Sequence, residues 1–272
     1  AEGGGLVASA PALGQATGLA LASSGEDVWV LHRGEREWDA GAFDASSHAL
    51  RADWASGHPL QTAPLVLLDG ASGAARRALG AGLFWMPHAA RLDQRTDTLW
   101  VADVGRHQVL ALDASSGEVK LALGREGRPG SGPGALCQPT DASVSRDGDI
   151  FVSDGYCNAR VAQFDRRGEW VRDLLLSSRD ASKADARKPG PASRFQVPHA
   201  VLVHDCLRRV YVADREAGLV HAFGLSSGQW EAQWQLPRGG LPYALAMGPY
   251  GRVAALSWRR GAQGAPCEVI VL

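Results

Sequence analysis

Three stretches, LWVADVGRHQVLALD at 99–113, IFVSDGYCNARVAQFD at 150–165 and VYVADREAGLVHAFG at 210–224, write one pattern three times. Each has a β-branched and aromatic run, a small residue and an aspartate or its equivalent, a polar loop, then a second apolar run. Runs of this length bounded by Gly, Asp and Ser are strand signals. A proline stands twelve or thirteen residues before the centre of each first run: Pro87 before Trp100, Pro139 before Phe151, Pro198 before Tyr211. A fourth copy starts at Pro242-Tyr243 and runs through VAALSW (253–258) to VIVL (269–272). A degenerate fifth opens at Thr17-Gly18, passes VWVLHRG (28–34), and reaches LVLLD (65–69) after an insertion. Most copies add a further strand, such as EVKLALG (118–124) or QWEAQWQL (229–236), and long helical periodicity is missing. Four-stranded units recurring every ~40–50 residues are blades around a central axis. The expectation is an all-β propeller with about five blades, a single domain over 1–272.

Composition narrows the classes of function. The chain has 272 residues, 45% hydrophobic and 21% charged, which excludes a disordered chain. The net charge is -1 and no dense Lys/Arg block occurs, so nucleic acid is not expected as a partner. No apolar run approaches the ~20 residues that cross a bilayer, and no signal-like segment opens the chain, so no membrane contact is expected. The chain begins at Ala1 rather than Met, as a processed or excised piece would. Four cysteines, Cys137, Cys157, Cys206 and Cys267, show no metal-type C-x-x-C spacing.

In a propeller one alignment column becomes one ring around the axis, so residues that break a column consensus carry information. The column after the proline reads Gly18, His88, Thr140, His199, Tyr243. Two imidazoles on one ring can face a common axial site, and imidazole is the commonest metal ligand. A second column reads Arg33, Val104, Gly155, Arg215, with Tyr156 one residue further in its blade. Folding back at the Asp147-Gly148 turn brings Thr140 near Asp154 and Gly155, and the same fold-back brings His199 near Arg215. A tyrosine beside two guanidiniums and a divalent metal is expected to ionise below its usual pKa of ~10 and to serve as a general base. Arginine forks match a carboxylate bidentately.

Bland readings stand beside these. His32, His48, His58, His204 and His221 read as surface or hydrogen-bonded residues, and His107 as structural. Arg33 and Arg215, taken alone, would be inter-blade salt bridges, and Tyr156 a packed aromatic. Cys137 precedes the first strand of its blade and Cys157 follows the second, so the fold-back sets them opposite each other. A disulfide there would clamp the loop carrying Tyr156 and imply an oxidising compartment, the other reading being two reduced thiols.

The units resemble NHL repeats, most closely in GRHQVLALD (105–113) and CNARVAQFD (157–165). A more specific resemblance runs through HRGEREWDAGAFD (32–44), FWMPHA (84–89), CQPTD (137–141), VSDGYCNARVAQF (152–164), FQVPHA (195–200) and VADREAG (212–218). These look like the motifs, in order, of the peptidyl-α-hydroxyglycine α-amidating lyases (peptidylamidoglycolate lyases). That activity is the second catalytic part of the bifunctional amidating monooxygenases. The resemblance implies cleavage of peptidyl-α-hydroxyglycine to an amidated peptide and glyoxylate. It assigns His88 and His199 as zinc ligands, Tyr156 as the base, and Arg33 and Arg215 as cationic partners of Tyr156 and the substrate carboxylate. It adds a structural calcium on the backbone oxygens of Leu19 and Ala90. It further implies C-terminally α-hydroxyglycine-extended peptides as partners, a covalently linked monooxygenase domain in the parent protein, and a secretory or extracellular location.

The chain departs from the resemblance in three places. The family's third zinc histidine, from a last-blade Pro-His-Asp motif, has no counterpart here. Six blades are the family's number, so the lyase domain is expected to be C-terminally incomplete, its last blade missing. The family's second disulfide falls on Tyr211 and Ala222, which leaves Cys206 and Cys267 without an assigned partner. The competing expectation is a non-catalytic NHL propeller that binds peptide or protein at its rim.

Overall fold

The computed structural model describes residues 11–51, 59–176, 194–259 and 267–272, so His58 lies outside the described residues. Five antiparallel sheets follow one another along the chain. Blade one is β1 (Ala16–Leu21), β2 (Val28–His32), β3 (Leu65–Leu68) and β4 (Ala75–Leu79). Blade two is β5 (Pro87–Asp93), β6 (Thr98–Asp103), β7 (Gln108–Asp113) and β8 (Val119–Gly124). Blade three is β9 (Asp141–Val144), β10 (Ile150–Asp154), β11 (Arg160–Phe164) and β12 (Trp170–Leu174). Blade four is β13 (Pro198–His204), β14 (Arg209–Asp214), β15 (Leu219–Gly224) and β16 (Trp230–Gln235). Blade five is β17 (Leu241–Met247), β18 (Val253–Trp258) and β19 (Glu268–Val271). The fold is the five-bladed all-β propeller expected from the repeats.

The period of two along each strand builds the core between blades rather than inside one. On β6, Leu99 and Val101 join the cluster shared with blade one, while Trp100 and Ala102 join the cluster shared with blade three. Two further clusters join blades three and four, then four and five.

The repeated aspartate has one task throughout. Asp103, at the end of β6, accepts from the backbone N–H of Trp85 (2.7 Å) and Met86 (3.0 Å). Asp154 accepts from Cys137 N–H (2.8 Å), and Asp214 from Val197 N–H (2.8 Å). Each thereby satisfies buried donors in the segment that enters its own blade.

The innermost strands share a one-residue irregularity. In blade two the register passes from Pro87 opposite Asp103 to Ala89 opposite Ala102, so His88 is bulged out of the ladder. His199 is bulged in the same way in blade four, and Tyr243 in blade five. A bulge re-aims one side chain, and here it turns these residues toward the axis. The blade-one register corrects the first column: Ala16 pairs His32 and Gly18 pairs Leu31, so the bulged residue is Thr17, not Gly18. The degenerate copy lacks the proline that anchors the other blades, and its alignment slips by one residue for that reason.

Cys137 and Cys157 form the expected disulfide, with Cα atoms 5.6 Å apart. Cys206 and Cys267 are free and exposed. Tyr211 and Ala222 lie directly opposite each other on β14 and β15. Among the described residues no helix is long and apolar enough to cross a membrane.

Candidate functional site at the axis

His88, Tyr156 and His199 come together although they belong to three different blades. The Tyr156 hydroxyl lies 2.9 Å from His88 Nε2 and 3.0 Å from His199 Nε2. The two imidazole centroids are 4.9 Å apart.

The other nitrogen of each ring determines its tautomer. His88 Nδ1 is 2.7 Å from the Thr140 carbonyl, and His199 Nδ1 is 2.8 Å from the Tyr243 carbonyl. A carbonyl only accepts, so each Nδ1 carries a proton and donates it. In each case the carbonyl belongs to the ring position of the next blade. Both Nε2 atoms therefore turn unprotonated lone pairs toward one phenol, which has a single proton to share.

Burial holds both rings neutral, and the neighbouring guanidiniums add to it. His88 lies well below its ordinary range, with His199, Arg33 and Arg215 contributing. His199 is lowered to about 3 by burial, then by Arg215. Tyr156 departs from its expectation. Burial raises its phenol above the ordinary value and outweighs the opposing pull of Arg215 and Arg33.

The arginines divide the work. Arg215 Nη1 donates to the Tyr156 hydroxyl at 3.3 Å, and its Nε donates to Glu216 at 2.9 Å. Its guanidinium also lies 5.4 Å from the Tyr156 ring centroid and 5.2 Å from that of Tyr243. Arg33 donates through Nε to the Pro87 carbonyl at 3.1 Å and through Nη1 to Gln15 Oε1. Both acceptors are neutral, so among the described residues no carboxylate bonds Arg33 directly, although Asp103 acts on it through space. Burial lowers its pKa to about 10.

Three contributors were not among the expected site residues. Trp38 stacks on Tyr156 with centroids 5.2 Å apart and planes 28° from parallel, and the Arg33 guanidinium lies 5.2 Å from its ring. Gln15 bonds both Arg33 and the Trp38 N–H. Thr17 lines the axial cavity of about 440 Å³ together with His88 and His199. Its Oγ1 is buried without a hydrogen-bond partner among the described residues. Trp38 had a signal, since it lies in the WDAGAFD segment. Gln15 had none.

The bland readings hold for the other described histidines. His107 Nδ1 accepts from Gln138 N–H (3.0 Å), His204 Nε2 bonds the Gly251 carbonyl (2.8 Å), and His221 Nδ1 accepts from Trp230 Nε1 (3.4 Å). His32 Nδ1 accepts from Gly34 N–H (3.0 Å), and the His48 carbonyl accepts from Gln138 Nε2 (3.2 Å).

The residues that could hold a metal are His88 and His199, through two neutral lone pairs of which the phenol proton can satisfy only one. Among the described residues no third His, Cys, Asp or Glu joins them. Leu19 and Ala90 occupy equivalent positions on β1 and β5, opposite Val30 and Val101, and both line the axial cavity.

Comparisons with known proteins agree on kinship. The NHL repeat model matches residues 136–164. A Caenorhabditis elegans protein described as a probable peptidyl-alpha-hydroxyglycine alpha-amidating lyase is 34% identical over 247 residues, covering 91% of this chain and 65% of its own length. The Drosophila melanogaster peptidyl-alpha-hydroxyglycine alpha-amidating lyase 2 is 32% identical over 219 residues, with coverages of 78% and 50%. The peptidylglycine alpha-amidating monooxygenase of Rattus norvegicus is 37% identical over 213 residues, 77% of this chain and 20% of the rat protein. The chain thus spans between a fifth and just under two thirds of these relatives. Among solved structures, Kuenenia stuttgartiensis hydrazine synthase superposes with a TM-score of 0.56 at 11% identity, over 97% of this chain and 64% of that one, which is a likeness of fold alone.

Proposed function

The chain is a homologue of the peptidyl-α-hydroxyglycine α-amidating lyases, and from that kinship we propose that it cleaves peptidyl-α-hydroxyglycine to α-amidated peptide and glyoxylate, the second step of peptide C-terminal amidation. The observation that carries the reading is the Tyr156 hydroxyl, held within hydrogen-bond distance of two neutral imidazole lone pairs and one guanidinium. Two imidazole lone pairs face the one phenolic proton while Arg215 donates to the phenolic oxygen, an arrangement that favours an oxygen able to give that proton up and take another.

In this reading Tyr156 first gives its phenolic proton to solvent, and the phenolate oxygen then takes the proton of the substrate hydroxyl. The O–H electron pair becomes the second bond of the glyoxylate carbonyl, the carbon–nitrogen bond breaks, and its pair leaves on the amide nitrogen. That nitrogen takes up one proton, so the proton held at Tyr156 balances the reaction without a co-reactant. Arg33, charged and bonded among the described residues to neutral oxygens, recognises the substrate carboxylate, while Arg215 stabilises negative charge at Tyr156.

His88 and His199 would hold a zinc ion through Nε2, and the bound ion supplies Lewis acidity toward the substrate oxygen. The Thr17 Oγ1 on the lining of the same cavity, without a hydrogen-bond partner among the described residues, supports a polar occupant there. A calcium ion on the Leu19 and Ala90 carbonyls belongs to the same proposal, as does a covalently linked monooxygenase domain that supplies the hydroxylated peptide. The disulfide supports a secretory or extracellular location.

The test is glyoxylate release from an acylated α-hydroxyglycine, with and without added zinc. Release above the spontaneous rate is expected, and Tyr156→Phe is expected to reduce it by ~10²-fold or more. A folded chain that releases none under either condition would leave the non-catalytic, peptide-binding propeller as the better reading. Full activity in Tyr156→Phe would remove the assigned base.

A further inference from the structure

Blade five enters the site with residues of a different chemistry. Its bulged position, matching His88 and His199, is Tyr243. Its rim position follows from register. Ser257 lies opposite Pro242 as Asp214 lies opposite Pro198, so Trp258 is the blade-five counterpart of Arg215 and, through the same alignment, of Arg33. Where blades two and four supply imidazoles, and blades one and four supply guanidiniums, blade five supplies two aromatic rings.

The two rings meet with centroids 6.1 Å apart, nearly perpendicular. With Leu256 and Cys267 they line a cavity of about 370 Å³, an apolar recess. Trp258 is 37% and Leu256 39% exposed, so the recess is open to solvent. It is also continuous with the reacting groups. The Tyr243 ring is 5.4 Å from the His199 ring, which itself touches the Tyr156 hydroxyl.

We propose that this recess is a binding subsite for the side chain of the residue immediately before the α-hydroxyglycine, and that it selects peptides with a bulky apolar residue there. The proposal rests on the lyase reading of the site. Successive Cα atoms lie ~3.8 Å apart, and a Phe or Leu side chain reaches a few ångströms further. A peptide whose hydroxyglycine sits at Tyr156 therefore carries its preceding side chain about one ring away, the distance at which the recess begins. Within the recess a Phe or Leu side chain meets two aromatic faces and an aliphatic wall. An acidic side chain would surrender its hydration there against described lining residues that carry no charge, and Arg215, which lies over the Tyr243 ring, is already paired with Glu216.

Two measurements test this. Glyoxylate release is compared for acetyl-Phe-α-hydroxyglycine and acetyl-Ala-α-hydroxyglycine, and binding of the uncleavable acetyl-Phe-Gly and acetyl-Ala-Gly is compared by calorimetry. The chain is expected to favour the Phe probes roughly tenfold or more in both kcat/KM and affinity. In Trp258→Ala that ratio should fall toward one, chiefly through KM, and Trp258→Phe should recover it. Equal treatment of the two probes by the unmodified chain, or a ratio unchanged in Trp258→Ala, overturns the subsite. If neither substrate is cleaved while acetyl-Phe-Gly still binds in a Trp258-dependent way, the lyase reading fails and the subsite stands. If Trp258→Ala abolishes self-association in sedimentation and leaves the probe ratio intact, the recess is a contact between copies and the proposal falls.

Discussion

At Tyr156 two arginines and a low-dielectric wall pull in opposite directions, and the wall prevails. Arg215 shares its charge with Glu216, which weakens the cationic help that formal charges promise. Burial depends on packing by Trp38, from a loop remote in sequence, and so could not be read from the alignment columns. The imidazoles respond to the same burial with a measurable consequence. Unfolded histidines protonate near 6.5. In the folded chain His199 resists protonation down to about 3, His107 and His221 to about 4, and His88 lies well below its ordinary value, burial leading in every case. A base whose folded pKa is depressed leaves stability intact above its unfolded value and removes it as pH falls below that value. The loss is up to ~1.4 kcal/mol per pH unit for each ring. The carboxyls of Asp103, Asp154 and Asp214 are raised by burial and act in the opposite sense, with Asp154 reaching only about 6. The melting temperature is therefore expected to begin falling near pH 6.5, and calorimetry between pH 7.5 and 5.5 checks it. A flat profile across that range would contradict the neutral, buried imidazoles.

The blade, as an element, was legible in the repeats because strand, turn and buried aspartate each have a residue signature. Its bulge was not, since one extra residue on a strand changes no composition, and blade one slipped from Thr17 to Gly18 on that account. The disulfide was legible because the fold-back sets Cys137 against Cys157, and its role follows from the turn it closes. Tyr156 lies between Asp154 and Cys157, in a segment also held by Asn158 Nδ2 to the Gly130 carbonyl at 3.0 Å. A bridge spanning 20 residues contributes ~2–4 kcal/mol, largely by restricting the unfolded chain. Cys157→Ser is expected to lose stability of that order in chemical denaturation. It should also lower kcat more than it raises KM, because the loosened loop carries the proposed base and not the carboxylate clamp. A variant with the parent's stability would show that the bridge adds little to the fold.

Across the whole molecule blades two, three and five are tied at the axis by charge as well as by packing. Arg91 of blade two pairs with Asp141 of blade three at 2.6 Å and donates to the Leu245 carbonyl of blade five at 3.0 Å. The outer flank of blade five has no such cover among the described residues. Leu245, Val253 and Ala255 are buried in the core shared with blade four, which consumes one face of that sheet. The opposite face presents Leu256, Val269 and Val271, at 39%, 69% and 54% exposure, and on blade one Leu19 and Leu21 are 69% and 51% exposed. β19 also ends its sheet with its outer edge unpaired among the described residues. An exposed apolar sheet face beside an open edge is a template for association. The chain is accordingly expected to self-associate at micromolar concentration. Val269→Lys with Val271→Lys should suppress that association, because a charged side chain on the face opposes stacking and one beside the edge opposes strand pairing. Both positions are solvent-facing, so the melting temperature should change little. Sedimentation velocity over a concentration series separates the outcomes: association unchanged in the double variant would place the contact elsewhere on the molecule, whereas its loss at constant stability would assign it to this flank.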